Sequence, residues 1–397
     1  MRILFLTSFY SGLQKSVKTG SWNPSGMPAI YKLLEGLKKK EIYFDYCFID
    51  KNVSSSKLYT IDFFKENKFY VLGCLPLNNL PKIINKILFK FIYLFKIYLY
   101  LKQIKVKEYD FVYIDRSNVS AFLVIHYIFR VKGVLRLHGI GLQYVKFKKY
   151  RSYFFKNILN YISYRLPFKY IIASRDGTPV VQFLDEFTNK KSKKAVMLNG
   201  VDLNNNFKNQ YVLKNNTINF LFVGRLEKDK GIVEIIEGFK NHNHKNKISL
   251  TIIGGGILEN YVKDSCLNQS HINYLGTLPH NKVKEYYRKS DVFISFNHLG
   301  NISNVVLEAI KYNLLIITFE KDLNLKKDID SNKFLGDNVI YVKRNKAIIL
   351  LIQEINTIVN DNKLLSIYKD KTQENLFTKI NSWEHRIEEE IKIITTI

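Results

Sequence analysis

Apolar residues along the chain follow two rhythms. Short runs that are apolar almost throughout fall at 3–7, 43–49, 69–72, 111–114, 134–138, 170–173 and 195–198, and stretches between them such as 27–37, 121–129 and 150–164 repeat apolar positions at helical spacing. The first rhythm predicts buried strands and the second amphipathic helices. Strands separated by helices pair in parallel through right-handed crossovers, so residues 1–200 predict a doubly wound sheet. The polar, asparagine-rich stretch 204–217 interrupts the pattern as a linker does. Strand-like runs then resume at 219–223, 248–253, near 274, and at 292–295, 314–318 and 339–342, with helical spacing at 232–239, 258–264, 281–290 and 304–310. The expected fold class is therefore α/β, with a first domain over 1–200, a second over 201–380, and a ligand in the cleft between them.

The most apolar stretch, 83–101, holds 19 residues dominated by Ile, Leu, Phe and Tyr, which is long enough for a membrane span. Lys82, Lys86, Lys90 and Lys96 fall within an arc of about 120° on a helix, so 83–104 reads as an amphipathic basic helix instead. Its apolar face is expected to cover the sheet and its lysines to meet water. Six aromatic residues, Phe89, Phe91, Tyr93, Phe95, Tyr98 and Tyr100, exceed what a sheet requires and point to interfacial membrane contact.

Composition agrees with this picture and adds one asymmetry. A chain of 397 residues exceeds what one core usually serves. Cys47, Cys74 and Cys266 form no metal-ligand pair or disulfide framework, which fits a reducing compartment, and Met1-Arg2 leads straight into a strand-like run too short for a secretory leader. The expected location is cytoplasmic. Residues 1–198 carry 34 Lys and Arg against 12 Asp and Glu, whereas 199–397 carry 27 against 23. From Arg116 to Arg175 there are 12 basic residues and no acid. Such a one-sided field suits an anionic partner, either a membrane surface, a nucleic acid or a polyanionic glycan. The sequence shows no nucleic-acid module, so no nucleic-acid partner is expected.

Candidate chemistry concentrates in the second half. In Phe222-Val223-Gly224-Arg225-Leu226-Glu227-Lys228-Asp229-Lys230-Gly231 an apolar strand stops at a glycine, and two cations straddle the turn into a helix. Free N–H groups and the helix dipole at that position favour an anion such as a diphosphate, and Arg225 and Lys230 add charge. Gly254-Gly255-Gly256 follows a second strand and suits either close approach of a ligand or a tight turn. Glu308 interrupts the apolar side of the helix at 304–310. His138 ends a strand and suits a satisfied core histidine as well as a site residue; the other histidines, His126, His242, His244, His271, His280, His298 and His385, show no ligand spacing. Asp328-Ile329-Asp330 lies among Lys326, Lys327 and Lys333 and reads as a solvated loop rather than a metal site, so no metal is expected.

Taken in order, Val223-Gly224-Arg225-Leu226, Lys230-Gly231, Gly254-Gly255-Gly256, Leu275-Gly276 and Asn304-Val305-Val306-Leu307-Glu308-Ala309 resemble the donor domain of family-four glycosyltransferases of GT-B fold. His138-Gly139 resembles that family's His-Gly motif, and Asn199-Gly200-Val201-Asp202 its interdomain signature. Ser382-Trp383-Glu384 opens a last helix, over 381–397, of the kind that crosses back to the first domain. The resemblance implies two tandem Rossmann-like domains and retaining transfer of a sugar from a UDP- or GDP-linked donor to an acceptor hydroxyl. It implies catalytic roles for His138, Arg225 and Lys230, and donor contacts by Gly224, Gly254, Gly255, Thr277, Leu278, Asn301, Ile302, Ser303, Asn304 and Glu308. Of these, Glu308 would accept from the ribose and Leu278 would meet the base. Gly20, Ser25 and Gly26 match the acceptor-side loop. One position departs from the family: the glutamate usually found eight residues before Glu308 is Gly300, leaving the N–H groups of 300–303 to serve the donor sugar. With the basic first half, these features lead to the expectation of a peripheral enzyme at the inner membrane face acting on a glycan or lipid-linked acceptor in surface polysaccharide synthesis. A nucleotide-sugar epimerase, a non-catalytic sugar-nucleotide binder favoured by Gly300, and a nucleic-acid binder are the alternatives.

Overall fold

The computed structural model describes residues 1–75, 82–203 and 217–396. Packing divides the chain into two compact units, one of Met1–Ser174, Val180–Met197 and Trp383–Ile397, the other of Arg175–Pro179 and Leu198–Ser382. This moves the expected boundaries: residues 175–179, 198–200 and 381–382 pack with the second unit. The expected linker at 204–217 lies, up to residue 216, outside the described residues.

The first unit holds strands β1 (Arg2–Ser8), β2 (Tyr43–Asp50), β3 (Lys57–Tyr59), β4 (Phe69–Gly73), β5 (Phe111–Asp115), β6 (Lys132–Leu137), β7 (Tyr170–Ser174) and β8 (Lys193–Met197). They form one sheet in the order β3-β4-β2-β1-β5-β6-β7-β8, parallel except for β3. The helices are α1 (Ser11–Thr19), α2 (Pro28–Lys39), α3 (Lys82–Gln103), α4 (Ala121–Val124), α5 (Gln143–Lys149), α6 (Arg151–Lys156), α7 (Ile158–Tyr164) and α8 (Val180–Phe187). Alternation along β1 assigns its two faces. Leu4 and Leu6 pack under α3 to α8, whereas Ile3 and Phe5 pack under α1 and α2. The helix expected over 121–129 is α4 followed by a wider turn at Ile125–Phe129, and the one expected over 150–164 breaks at Asn157 into α6 and α7.

The second unit is a six-stranded parallel sheet of β9 (Ile218–Val223), β10 (Ile248–Ile253), β11 (Ile272–Tyr274), β12 (Val292–Ser295), β13 (Leu315–Phe319) and β14 (Ile340–Val342), in the order β11-β10-β9-β12-β13-β14. Its helices are α9 (Ile232–Lys240), α10 (Glu259–Cys266), α11 (His280–Lys289), α12 (Asn304–Lys311), α13 (Ile329–Leu335), α14 (Ala347–Asn360) and α15 (Asn362–Lys371). The last helix, α16 (Trp383–Thr395), belongs to the first unit and packs on α2 through buried Ile387, Ile391 and Ile394. A side chain on Gly36 of α2 would begin 2.7 Å from Cγ2 of Ile387. Each of those three isoleucines contributes about 1.5–3 kcal/mol by leaving water. Below them Glu390 accepts from the hydroxyl of Tyr113 and lies 2.7 Å from Arg386 and 3.4 Å from Arg136, with all three charged groups out of solvent. Burial opposes the charge on Glu390, yet the two guanidinium groups together hold it below the usual carboxylate range.

α3 differs from expectation in which side meets water. Tyr93, Ile97, Tyr100 and Leu101 are buried on the sheet. The exposed stripe, however, is Leu88, Phe91, Phe95 and Leu99, with Phe91 67% and Phe95 60% accessible. Lys90 donates to the carbonyl of Lys156 at 2.6 Å and Lys96 to that of Gly73 at 2.7 Å, so these lysines tie neighbouring segments together. The side chains of Lys82 and Lys86 lie outside the described residues. Among the described residues no helix is long and apolar enough to cross a membrane.

Candidate active site

Among the parallel strands of each sheet the order reverses once, and the loops leaving the two strands beside the reversal open a crevice where doubly wound folds bind ligands. In the second unit those strands are β9 and β12. Their loops carry Arg225 and Lys230 on one side and Asn297 to Ser303 on the other. Lys230, one-fifth exposed, donates to Oδ1 of Asn297 at 3.3 Å and lies 3.5 Å from Asp229, so it spans the reversal. Arg225 is more open, 65% exposed, and pairs with Glu227 at 2.7 Å. Gly231, at φ +67°, abuts Phe296 so closely that a Cβ would stand 2.3 Å from the phenylalanine Cβ.

The triple glycine serves the protein's own backbone. A Cβ on Gly254, at φ +146°, would lie 1.8 Å from the carbonyl oxygen of Gly224. Gly224 N–H donates to Ile253, Leu226 N–H to Gly255 and Leu258 N–H to Leu226, each at 3.0 Å. The two loops are thereby zipped at the sheet edge, with Thr277 beside Gly255. Leu278 packs as a partly buried neighbour of the core on the α11 and α12 side, and Thr277 is exposed.

The loop before α12 is held from several sides. Gly300 packs against the segment 176–178, and a Cβ there would lie 2.3 Å from the carbonyl oxygen of Asp176. Asn301 is fully buried: its N–H donates to Asp328 at 2.7 Å and its amide to the carbonyl of Phe319 at 2.6 Å. Ile302 is buried in the core, Ser303 precedes the first turn of α12, and Asn304 accepts from the amide of Asn199 at 2.7 Å. Glu308, one turn on and one-fifth exposed, meets Nε2 of His280 at 2.8 Å. That bond raises the His280 pKa, with burial working against it. His298 meets Glu234 at 3.0 Å and holds that carboxyl below its ordinary range.

The expectation of a solvated loop at 328–330 is corrected here. Asp328 is buried, receives the Asn301 N–H and an ion pair from Arg344, and has a pKa pushed up to about 6, since burial outweighs the arginine. Lys327 is buried too and donates to the carbonyl of His298 at 2.7 Å. The pair is an internal brace for the loop at 297–301. His280, Asn297 and Asp328 are the residues that sequence reading missed as partners of the site; a proline immediately before His280 was the local signal for a helix start there.

In the first unit the order reverses between β1 and β5. Asp115, at the end of β5, accepts from Ser8 N–H at 3.0 Å, from the hydroxyl of Tyr10 at 2.6 Å and from the Asn118 amide at 2.8 Å. The ring of Tyr10 stands edge-on to His138, centroids 6.2 Å apart. Nε2 of His138 is shielded from solvent with no hydrogen-bond partner. Burial first, then Arg136, Arg386 and Arg116, drives its pKa well below the ordinary imidazole value, so it is held neutral. Ser25 and Gly26 pack on Gly12, close after β1, with Ser25 N–H donating to Gly12 at 3.0 Å. Gly20 is not brought to that edge by these bonds: it terminates α1 in the left-handed region and accepts from Asp62.

Residues 204–375 match the family described as glycosyl transferases group 1. No curated protein matches the chain. Among solved structures, sucrose-phosphate synthase from Thermosynechococcus elongatus aligns at 14% identity and a TM-score of 0.71, over 100% of this chain and 99% of that one. Anabaena HepE in complex with UDP aligns at 14% identity and 0.67, over 100% of both chains. WaaG, a glycosyltransferase involved in lipopolysaccharide biosynthesis, aligns at 12% identity and 0.65, over 99% of both. At these identities the likeness is one of fold.

Proposed function

We propose that the chain, whose residues 204–375 match glycosyl transferases group 1 and whose fold is GT-B, transfers a sugar with retention from a UDP- or GDP-linked donor to a lipid-linked glycan in surface polysaccharide synthesis, at the inner membrane face and without a metal. The observation that carries the donor half is Lys230, placed between the β9 and β12 loops at the strand reversal and beside the helix start after Gly231. There Lys230 and the exposed Arg225 neutralise the charge that grows on the leaving diphosphate, a stabilisation stronger in the transition state than in the bound donor. Those two cations supply the charge a divalent ion would otherwise bring. Glu308 accepts from the ribose hydroxyls, exchanging them for His280, and Leu278 supplies backbone contact to the base. The Asn301 N–H is taken by Asp328, which leaves the N–H groups of Gly300, Ile302 and Ser303 to serve the donor sugar where the family's first glutamate is missing. UDP bound to HepE, and UDP with GlcNAc in the pneumococcal O-GlcNAc transferase GtfA, support a uridine donor.

Calorimetric titration of UDP, GDP and ADP tests this reading. One of them binds, and Lys230→Ala weakens it roughly 10- to 100-fold, the worth of a charge-assisted hydrogen bond. If none binds, or the substitution leaves affinity unchanged, the donor assignment fails. A non-catalytic sugar-nucleotide binder is the second reading, favoured by the absence of a side chain at Gly300; nucleotide binding without donor hydrolysis or transfer would select it.

A further inference from the structure

We propose that a cavity of about 810 Å³ in the first unit receives the hydrocarbon chain of an anionic lipid whose phosphate sits at the cavity's basic rim. The inference rests on the lipid-linked acceptor reading above and adds the place where the lipid is held. Its volume falls in the range of ligand sites, roughly 300–1,000 Å³. Phe89 and Leu94 of α3, Phe155 of α6 and Leu159 of α7 supply apolar wall. The cavity opens to solvent and its walls are mainly apolar, which suits a hydrocarbon chain. Lys51 and Lys156 line the same cavity, and among the described residues that line it there is no carboxylate.

Two further observations choose a lipid over a water-soluble ligand. Phe155 reaches both inside and out: it lines the cavity and is 68% exposed. α3, which forms one wall, turns Leu88, Phe91, Phe95 and Leu99 outward as an apolar stripe, the surface that a bilayer interface accepts. Asn157, at the break between α6 and α7, also lines the cavity. Its rim at Lys51 lies just after β2, at the carboxyl edge of the sheet. Ser117 and Ser120 line it after β5, and Tyr93, another lining residue, donates to Asn118 at 3.1 Å. Asn118 in turn is bonded to Asp115 in the crevice between β1 and β5. A lipid phosphate at Ser117 and Lys51 would therefore present the group it carries to that crevice.

The test uses the full chain and dodecyl phosphate below its micellar concentration, with dodecanol and inorganic phosphate as partial probes and native mass spectrometry or calorimetry as readout. Dodecyl phosphate binds, and each partial probe binds more weakly by roughly tenfold or more, since each lacks one half of the contact. Leu94→Trp, which fills the cavity, and Lys156→Glu, at the rim, each reduce dodecyl phosphate binding by a similar factor and leave UDP titration unchanged. Unchanged dodecyl phosphate binding in both variants overturns the proposal, as does inorganic phosphate binding as well as dodecyl phosphate. The two readings separate in an acceptor assay. Transfer to lipid-linked acceptors with an unaltered KM in both variants removes the cavity inference alone. Transfer confined to soluble acceptors, with dodecyl phosphate still bound, removes the acceptor reading and leaves the cavity as a lipid site.

Discussion

Gly300 gives the sharpest test of how the donor loop is built. The resemblance treats this position as a glutamate that was lost; the geometry treats it as a position that cannot hold one. A Cβ on Gly300 would stand 2.3 Å from the carbonyl oxygen of Asp176, and 2.9 Å from both the carbonyl carbon of Gly177 and the nitrogen of Thr178. All three neighbours are backbone, so no side chain can swing aside, and the segment or the loop must retreat by roughly 1 Å to reach ordinary contact. The segment is itself fixed, because Gly177 accepts from Asp328 N–H at 2.8 Å and Thr178 N–H is held by Asp176 at 3.0 Å. Overpacking of this kind costs about 1–3 kcal/mol for a single methyl. In a unit of this size each kcal/mol lowers Tm by about 2–4 °C. Gly300→Ala should therefore lower the melting temperature by several degrees, and Gly300→Glu by more, in circular dichroism melts at matched concentration. Neither should raise UDP affinity or the rate of donor turnover. A Gly300→Glu protein that melts like the wild type and turns over faster would refute the packing argument and show that the acid was merely missing.

Two predictions follow from the brace behind that loop and from the outer face of α3. Because the Asp328 pKa is raised to about 6 from its unfolded value, the folded state binds the extra proton between about pH 4 and 6, and stability falls as pH rises through that window. Denaturant titrations should show the stability of the wild type relative to Asp328→Asn declining from pH 4 to 6, by on the order of 3 kcal/mol at most, and level above pH 6; a difference constant across the window would show that Asp328 does not titrate there. Phe91→Glu with Phe95→Glu removes exposed aromatic surface, so Tm should move little while flotation with anionic liposomes falls severalfold; undiminished flotation would remove the stripe from the membrane reading.

Much of the fold could be read along the chain because it depends on local period. Short apolar runs such as 111–114 in β5 become strands buried on both faces, and the spacing of Ile232, Ile235, Ile236 and Phe239 makes a helix with one buried side. α13 to α15 were not read, and neither were α1, α5 and α8, where short or evenly mixed stretches leave packing to decide. The loop at 224–231 was recognisable for the same local reason, since a strand end, a glycine and a helix start lie within ten residues.

The sequence by itself determined two doubly wound sheets, a cationic loop at a strand's carboxyl end, and an apolar helix broken by lysines. Tertiary structure decided what each charge and glycine is for. Lys90 and Lys96 read as a solvent-facing arc because periodicity reports angle around a helix and not which neighbours stand there; carbonyls at Lys156 and Gly73 claim them, and aromatics take the outer face. Asp328 read as solvated because its flanking lysines are adjacent in sequence, whereas the arginine that pairs with it is 16 residues away and the N–H that binds it 27. Gly254 read equally as room for a ligand or as a tight turn, and the space a Cβ would take there is filled by the backbone of Gly224. Local pattern fixes which surfaces must be buried, but partners distant in sequence meet only when the sheets close, and it is those meetings that place Lys230 at the reversal of one sheet and the basic-rimmed cavity at the edge of the other.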